Sequence, residues 1–198
     1  MDDAMGSAYS PIPELNLLKE FHDGPGKAGF ADGFEMYAYG WRDAGLVQWL
    51  DMTDSPELRV RLDRLVPFAQ ATGSGSFYAL WRCDDRADLA TLPVVLFGDE
   101  GDLDVVASGL RDLFRLLAID HEWYLPEWEW DADEEHSPGH GEYLDWLEER
   151  FGLTAPEDGD LIIDRARDEY GMRFMEWLLE FCPEYVVDAL RENLDLDG

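Results

Sequence analysis

The chain has 198 residues, enough for one domain with an appendage, and its 46% hydrophobic and 13% aromatic content is ample for a packed core. Against 15 Lys and Arg stand 45 Asp and Glu, a formal net charge of −30. Such a chain repels nucleic acid and anionic membrane surfaces and is drawn to basic proteins, and without a run of 18 apolar residues it offers no membrane span.

The opening MDDAMGSAYS lacks the basic and apolar regions of a secretory signal. Cys83 and Cys182 are isolated and lack metal-ligand spacing, as expected of two reduced, buried thiols in a cytoplasmic protein. Residues 1–14, with Pro11 and Pro13, read as a disordered or extended lead, and residues 15–198 as a single domain. Leu15–Phe21 has the makings of a short helix, ended by Asp23-Gly24-Pro25-Gly26. Phe34–Trp41 alternates aromatic residues or Met with smaller groups and reads as a strand, with the apolar run Leu46–Leu50 as its hairpin partner. Asp54-Ser55-Pro56-Glu57 opens a helix to about Leu62, with Leu58 and Leu62 turned inward.

The richest β signal follows. Leu65–Ala71 is an apolar run, Thr72-Gly73-Ser74-Gly75 a turn, and Ser76–Arg82 an aromatic-rich strand. Leu92–Gly98 is apolar throughout, which suits a strand covered on both faces, with Pro93 at its start. Asp99-Glu100-Gly101-Asp102 is a polar turn leading to a short strand at Leu103–Ala107. Ser108 reads as a helix N-cap, and Leu110, Leu113, Phe114 and Leu117 form one apolar stripe. Short antiparallel strands closing onto an amphipathic helix make an α+β pattern.

The order PFA…GSGSFYALW…LPVVLFGDEG…VVASGLRDLFRLLA, within Leu65–Ala118, resembles the SUKH superfamily. The shared features are a small-residue turn before an aromatic strand, the PVVLF strand, an acidic turn and the leucine-striped helix. That superfamily includes bacterial immunity proteins of polymorphic toxin systems and a fungal regulator of cell-wall synthesis. The resemblance implies an antiparallel sheet with flanking helices, and a non-enzymatic protein that blocks a toxin domain by direct contact.

Ile119–Gly141 is an irregular connector, acidic throughout, with three of the eight tryptophans and three of the four histidines. From about residue 138 the chain is a helical C-terminal region. Tyr143, Leu144, Leu147 and Phe151 mark a helix closed by Gly152. Leu161, Ile162 and Ala166 open another, interrupted at Gly171 and resumed through Phe174, Trp177, Leu178 and Phe181. Pro183 stops it, and Tyr185–Asn193 forms a last helix.

His121, His136 and His140 lie near Asp131, Asp133, Glu134 and Glu135, and His136 and His140 are spaced i, i+4. Pro138 and Gly139 argue against a helix between them, and no H-E-x-x-H or Cys-x-x-Cys occurs, so neither a metal nor another cofactor is expected. The acidic turns Gly98–Asp104 and Glu157–Asp160 lack EF-hand spacing. No G-x-S-x-G or P-loop lysine is present, and no catalytic residue stands out. The expected partner site is instead acidic and aromatic: Asp99, Glu100 and Asp102 in one segment, and Trp123, Trp128, Trp130 and Asp131 in the other. The partner class these residues suit is a basic protein, such as a nuclease toxin, with no nucleic acid and no membrane bound directly. Two other readings are a metal-dependent hydrolase using residues 121–140 and a regulatory or scaffold protein without a toxin partner. The acidity is equally the mark of plain solubility or of an acidic proteome.

Overall fold

The computed structural model describes residues 8–39, 45–121 and 136–196. Trp123, Trp128, Trp130 and Asp131 lie outside the described residues. The fold is α+β, built on a five-stranded antiparallel sheet in the order β1 (Glu35–Met36), β2 (Leu65–Gln70), β3 (Phe77–Trp81), β4 (Val94–Phe97) and β5 (Leu103–Ala107). Every position of β4 is apolar and buried, and β5 is buried along its whole length. Strands of that kind need cover on both faces.

Period-two alternation divides the sheet between two cores. Tyr78, Leu80, Val94 and Leu96 face Leu15 and Leu18 of α1 (Pro13–Asp23), Leu113 and Phe114 of α4 (Leu110–Leu117), and Tyr143 and Leu147 of α5 (His140–Phe151). Ala79, Trp81, Val95 and Phe97 face the other way. There they meet α2 (Gly45–Trp49), α7 (Met172–Leu179) and α8 (Asp188–Asn193) through Leu46, Phe174, Leu178 and Leu190. A further helix, α3 (Pro56–Leu62), starts where Ser55 caps the Leu58 amide, at 3.1 Å. Its Leu58 is buried.

The helix α6 (Asp160–Ala166) continues through a π-helical turn, Arg167–Gly171, into α7. Ile162 and Ile163 belong to the first core, and Ala166 and Tyr170 to the second. This segment therefore passes across the edge of β5 and covers a row of backbone groups that would otherwise be open to pairing. Gly171 packs against Leu194 there, and a Cβ would stand 2.5 Å from Leu194 Cδ2, so the leucine would have to shift. Among the described residues, no helix is long and apolar enough to cross a membrane.

Three local expectations change. Phe34–Trp41 and Leu46–Leu50 do not form a hairpin: β1 is two residues long and pairs with β2, and the second run is helical. Leu46 and Leu50 are i, i+4 and both buried, a spacing a single helical turn satisfies as well as a strand would. α1 begins at Pro13 rather than Leu15, and just before it Ser10 bonds Asn16. Ser108 is not the cap of α4: Gly109 occupies that position, and Ser108 Oγ is buried with no hydrogen-bond partner among the described residues. Gly109 packs on the Leu89–Thr91 turn, where a Cβ would stand 2.9 Å from the Ala90 carbonyl oxygen, so the helix begins one step later.

One charged pair crosses from helix to sheet. Asp104, nine-tenths buried in β5, accepts from Arg167 Nε at 3.0 Å and from Nη2 at 2.6 Å. Burial opposes the Arg167 charge, but the Asp104 hydrogen bonds prevail and hold the guanidinium above its ordinary range. Removing the cation leaves a buried carboxylate uncompensated. Arg167→Ala should cost about 3 kcal/mol, the lower end for a broken buried pair because the arginine is partly exposed. Urea unfolding measures it, and a loss below about 1 kcal/mol, the size of a surface pair, would contradict this account.

Candidate functional site

On the second face, the β4–β5 turn, α2 and the Glu184–Val187 turn surround an open cleft of about 640 Å³. Its walls include Tyr37, Trp49, Phe77 and Tyr185, and its rim carries Asp99 and Glu100. Trp49 ends α2, and its indole N–H donates to the Gly98 carbonyl. Its ring meets Phe97 edge to face at 4.9 Å, and Phe97 stacks on Phe77 at 4.9 Å. The aromatic wall thus grows from sheet packing and is continuous with the core. Tyr185 is 55% exposed and donates to the Asp51 carboxylate at 2.9 Å, which holds its phenol above the ordinary range.

The acidic turn is shaped by its glycines. Gly101 has φ +100, a conformation side chains resist, and its amide bonds the Gly98 carbonyl at 3.2 Å. Gly98 has no room for a Cβ, which would lie 2.7 Å from Asp102 Cβ. Asp99 is anchored: its carboxylate accepts from Ser76 Oγ at 2.9 Å and Ser74 Oγ at 3.1 Å. The Ser76 hydroxyl, then Ser74, holds the Asp99 carboxyl below the ordinary carboxylate range. Among the described residues no cation pairs with Asp99 or Glu100. Asp102 is exposed at the far end of the same turn, outside the described lining of the cleft.

The structure therefore brings Asp99 and Glu100 together and joins them to four aromatic residues absent from the expected site. Phe77 and Trp49 were legible only as strand and hairpin residues, because a cleft wall and a core wall have the same composition. Tyr185 arrives from the C-terminal region, and nothing in its local sequence points to β4.

A second grouping forms at the end of α4. Asp120, with φ +56 and a fully buried side chain, accepts from the Ser137 amide at 2.6 Å and its hydroxyl at 2.7 Å. His136 Nδ1 lies 3.3 Å and His140 Nδ1 3.6 Å from Asp120 Oδ2, and the two imidazoles stack at 4.4 Å. His121 stands beside them, its ring 5.4 Å from that of His136. Burial pushes the His140 imidazole below its ordinary range, outweighing the opposite pull of Asp120. No helix spans His136 to His140, as expected, yet the Ser137–Gly139 turn brings the rings together by another route. Asp120, next to His121, was absent from the expected cluster, and its hydrogen bonds to Ser137, seventeen positions on, are what bring it in. Cys83 and Cys182 are free, and burial raises both thiols, Cys182 to about 12.

Ser76→Ala should return the Asp99 carboxyl toward the ordinary range. A carbon-detected NMR titration reads this directly. The carboxyl must titrate at higher pH in the variant, because the lost hydroxyl stabilises only the charged form. An unchanged midpoint would show that Ser76 does not set the charge on this rim.

Comparison of the chain with protein-family models, with curated proteins and with solved structures gives no match. A functional reading therefore rests on the chain's own side chains.

Proposed function

We propose that this chain is a cytoplasmic, non-enzymatic binding protein whose cleft takes a basic segment of a protein partner. The observation that carries this reading is the convergence of Asp99 and Glu100 with Tyr37, Trp49, Phe77 and Tyr185 around one open cleft. An arginine entering it would meet carboxylates on the rim and aromatic faces along the wall, the two surfaces a guanidinium binds best. The net charge of −30 would speed encounter over longer distance.

The SUKH-like stretch Leu65–Ala118 supplies β2 to β5, α4 and the acidic turn. Taken with that resemblance, the cleft suits an immunity protein that neutralises a basic, nuclease-type toxin. The carboxylates would then occupy positions where the toxin binds substrate phosphates. A second reading, the metal-dependent hydrolase, is favoured by the grouping of Asp120, His136 and His140. It differs in requiring turnover of a substrate. A regulatory or scaffold protein would use the same cleft for a partner that is not a toxin.

The test uses the partner captured from the source organism on the immobilised chain, identified and purified. The double variant Asp99→Lys, Glu100→Lys should slow association about tenfold and weaken its salt dependence, since rim charge acts on encounter. Tyr185→Ala, at an exposed position, should speed dissociation by about thirtyfold, equivalent to a ~2 kcal/mol anchor. Association indifferent to both salt and charge reversal, in folded variants, would remove the cleft from the function.

A further inference from the structure

We propose that Asp120, His136 and His140 form a binding site for a divalent transition metal of the zinc type, which clips the end of α4 to the start of α5. The site lies with the first core, on the opposite face of the sheet from the cleft, and does not rest on the partner-binding reading.

His140 is 8% exposed, and its Nδ1 is buried without a hydrogen-bond partner among the described residues. That nitrogen lies 3.6 Å from Asp120 Oδ2, and His136 Nδ1 lies 3.3 Å from the same oxygen. A buried carboxylate and a buried, unpartnered ring nitrogen at this separation are lone-pair donors that a metal ion between them would satisfy.

The distances suit such a cation. Two ligands of one tetrahedral ion at roughly 2.1 Å stand about 3.4 Å apart. The two imidazole nitrogens lie 3.3 and 3.6 Å from Asp120 Oδ2, and the three ligand atoms all fall within 4.8 Å of one another. Two imidazoles and a carboxylate match zinc and its neighbours in the first transition row, not calcium or magnesium, which prefer all-oxygen shells. An outer partner is also in place. Ser137 fixes the Asp120 carboxylate with two hydrogen bonds, the support that a metal-bound carboxylate ordinarily has. The Gly139 amide bonds the Gly29 carbonyl at 2.8 Å and sets the turn that carries His136 toward His140.

The experiment takes the full chain, freed of metal by chelation and dialysis, and titrates it with Zn²⁺ by calorimetry in a large excess of Mg²⁺. The magnesium occupies the acidic surface. One equivalent of Zn²⁺ should bind, and Co²⁺ in its place should show the visible bands of a tetrahedral ion. The thermal midpoint should rise with Zn²⁺ concentration, because the ion binds the folded chain. His136→Ala, at a position whose side chain is 55% exposed, should keep the fold, checked by circular dichroism, and weaken Zn²⁺ by about 100-fold or more. Ser137→Ala should weaken it by ~10–100-fold while leaving the three ligands in place. Heat that never saturates in the presence of Mg²⁺, or a Zn²⁺ affinity unchanged in His136→Ala, would overturn the proposal.

Discussion

The fold depends on a sheet that is apolar on both faces. β4 has no polar position, and Phe97, Leu103 and Val105 on one face are as fully buried as Leu80, Val94 and Val106 on the other. At about 25 cal/mol per Å² of apolar surface, leaving either side to water would cost more than a domain's whole net stability. The chain therefore carries helices for both sides: α1, α4 and α5 for one, and α2, α7 and α8 for the other. Of the C-terminal region, α5 covers the first face and α7 and α8 the second. The chain passes from one to the other across the β5 edge, where Arg167 meets Asp104.

That arrangement also explains where a cleft can arise. The second face is covered by short pieces: five-residue α2, the Glu184–Val187 turn and α8. Short elements meet at their ends, and the gap between α2, Tyr185 and the β4–β5 turn is such a meeting point. Much of the chain's cationic charge is held in local pairs, among them Lys19 with Asp23, Arg59 with Asp54, Arg86 with Asp84 and Arg191 with Glu184. The Asp99 carboxylate is instead held by two serine hydroxyls, which orient it without neutralising it. A carboxylate fixed in direction and left charged is suited to meeting a cation supplied from outside.

The sequence was most legible where local chemistry and tertiary demand agree. Leu103–Ala107 is a strand with the expected bounds, the stripe Leu110, Leu113, Phe114 and Leu117 is buried as its spacing requires, and Gly152 closes α5 with φ +64. It was least legible where a short apolar run satisfies two periods at once. Leu46–Leu50 is helical because Leu46 and Leu50 pack on the second face while the Trp49 indole finds the Gly98 carbonyl, a contact 49 positions away. The sites divide in the same way. Asp99 and Glu100 were legible as an exposed acidic turn between two strands. The aromatic wall was not, since it is assembled from side chains far apart in sequence, and of the second grouping His136 and His140 were legible but Asp120 was not. The family resemblance covers β2 to α4 and leaves the segments that complete both sites outside it.

The central claim is that the cleft between α2, Tyr185 and the β4–β5 turn is the surface that meets a basic partner. Hydrogen exchange by mass spectrometry, comparing the free chain with its complex, tests this most directly. The account requires new protection in the peptides spanning Gly45–Trp49, Thr72–Phe77 and Gly98–Asp102, with α5 unchanged. Protection confined to α1, α4 or α5, on the opposite face of the sheet, would contradict it.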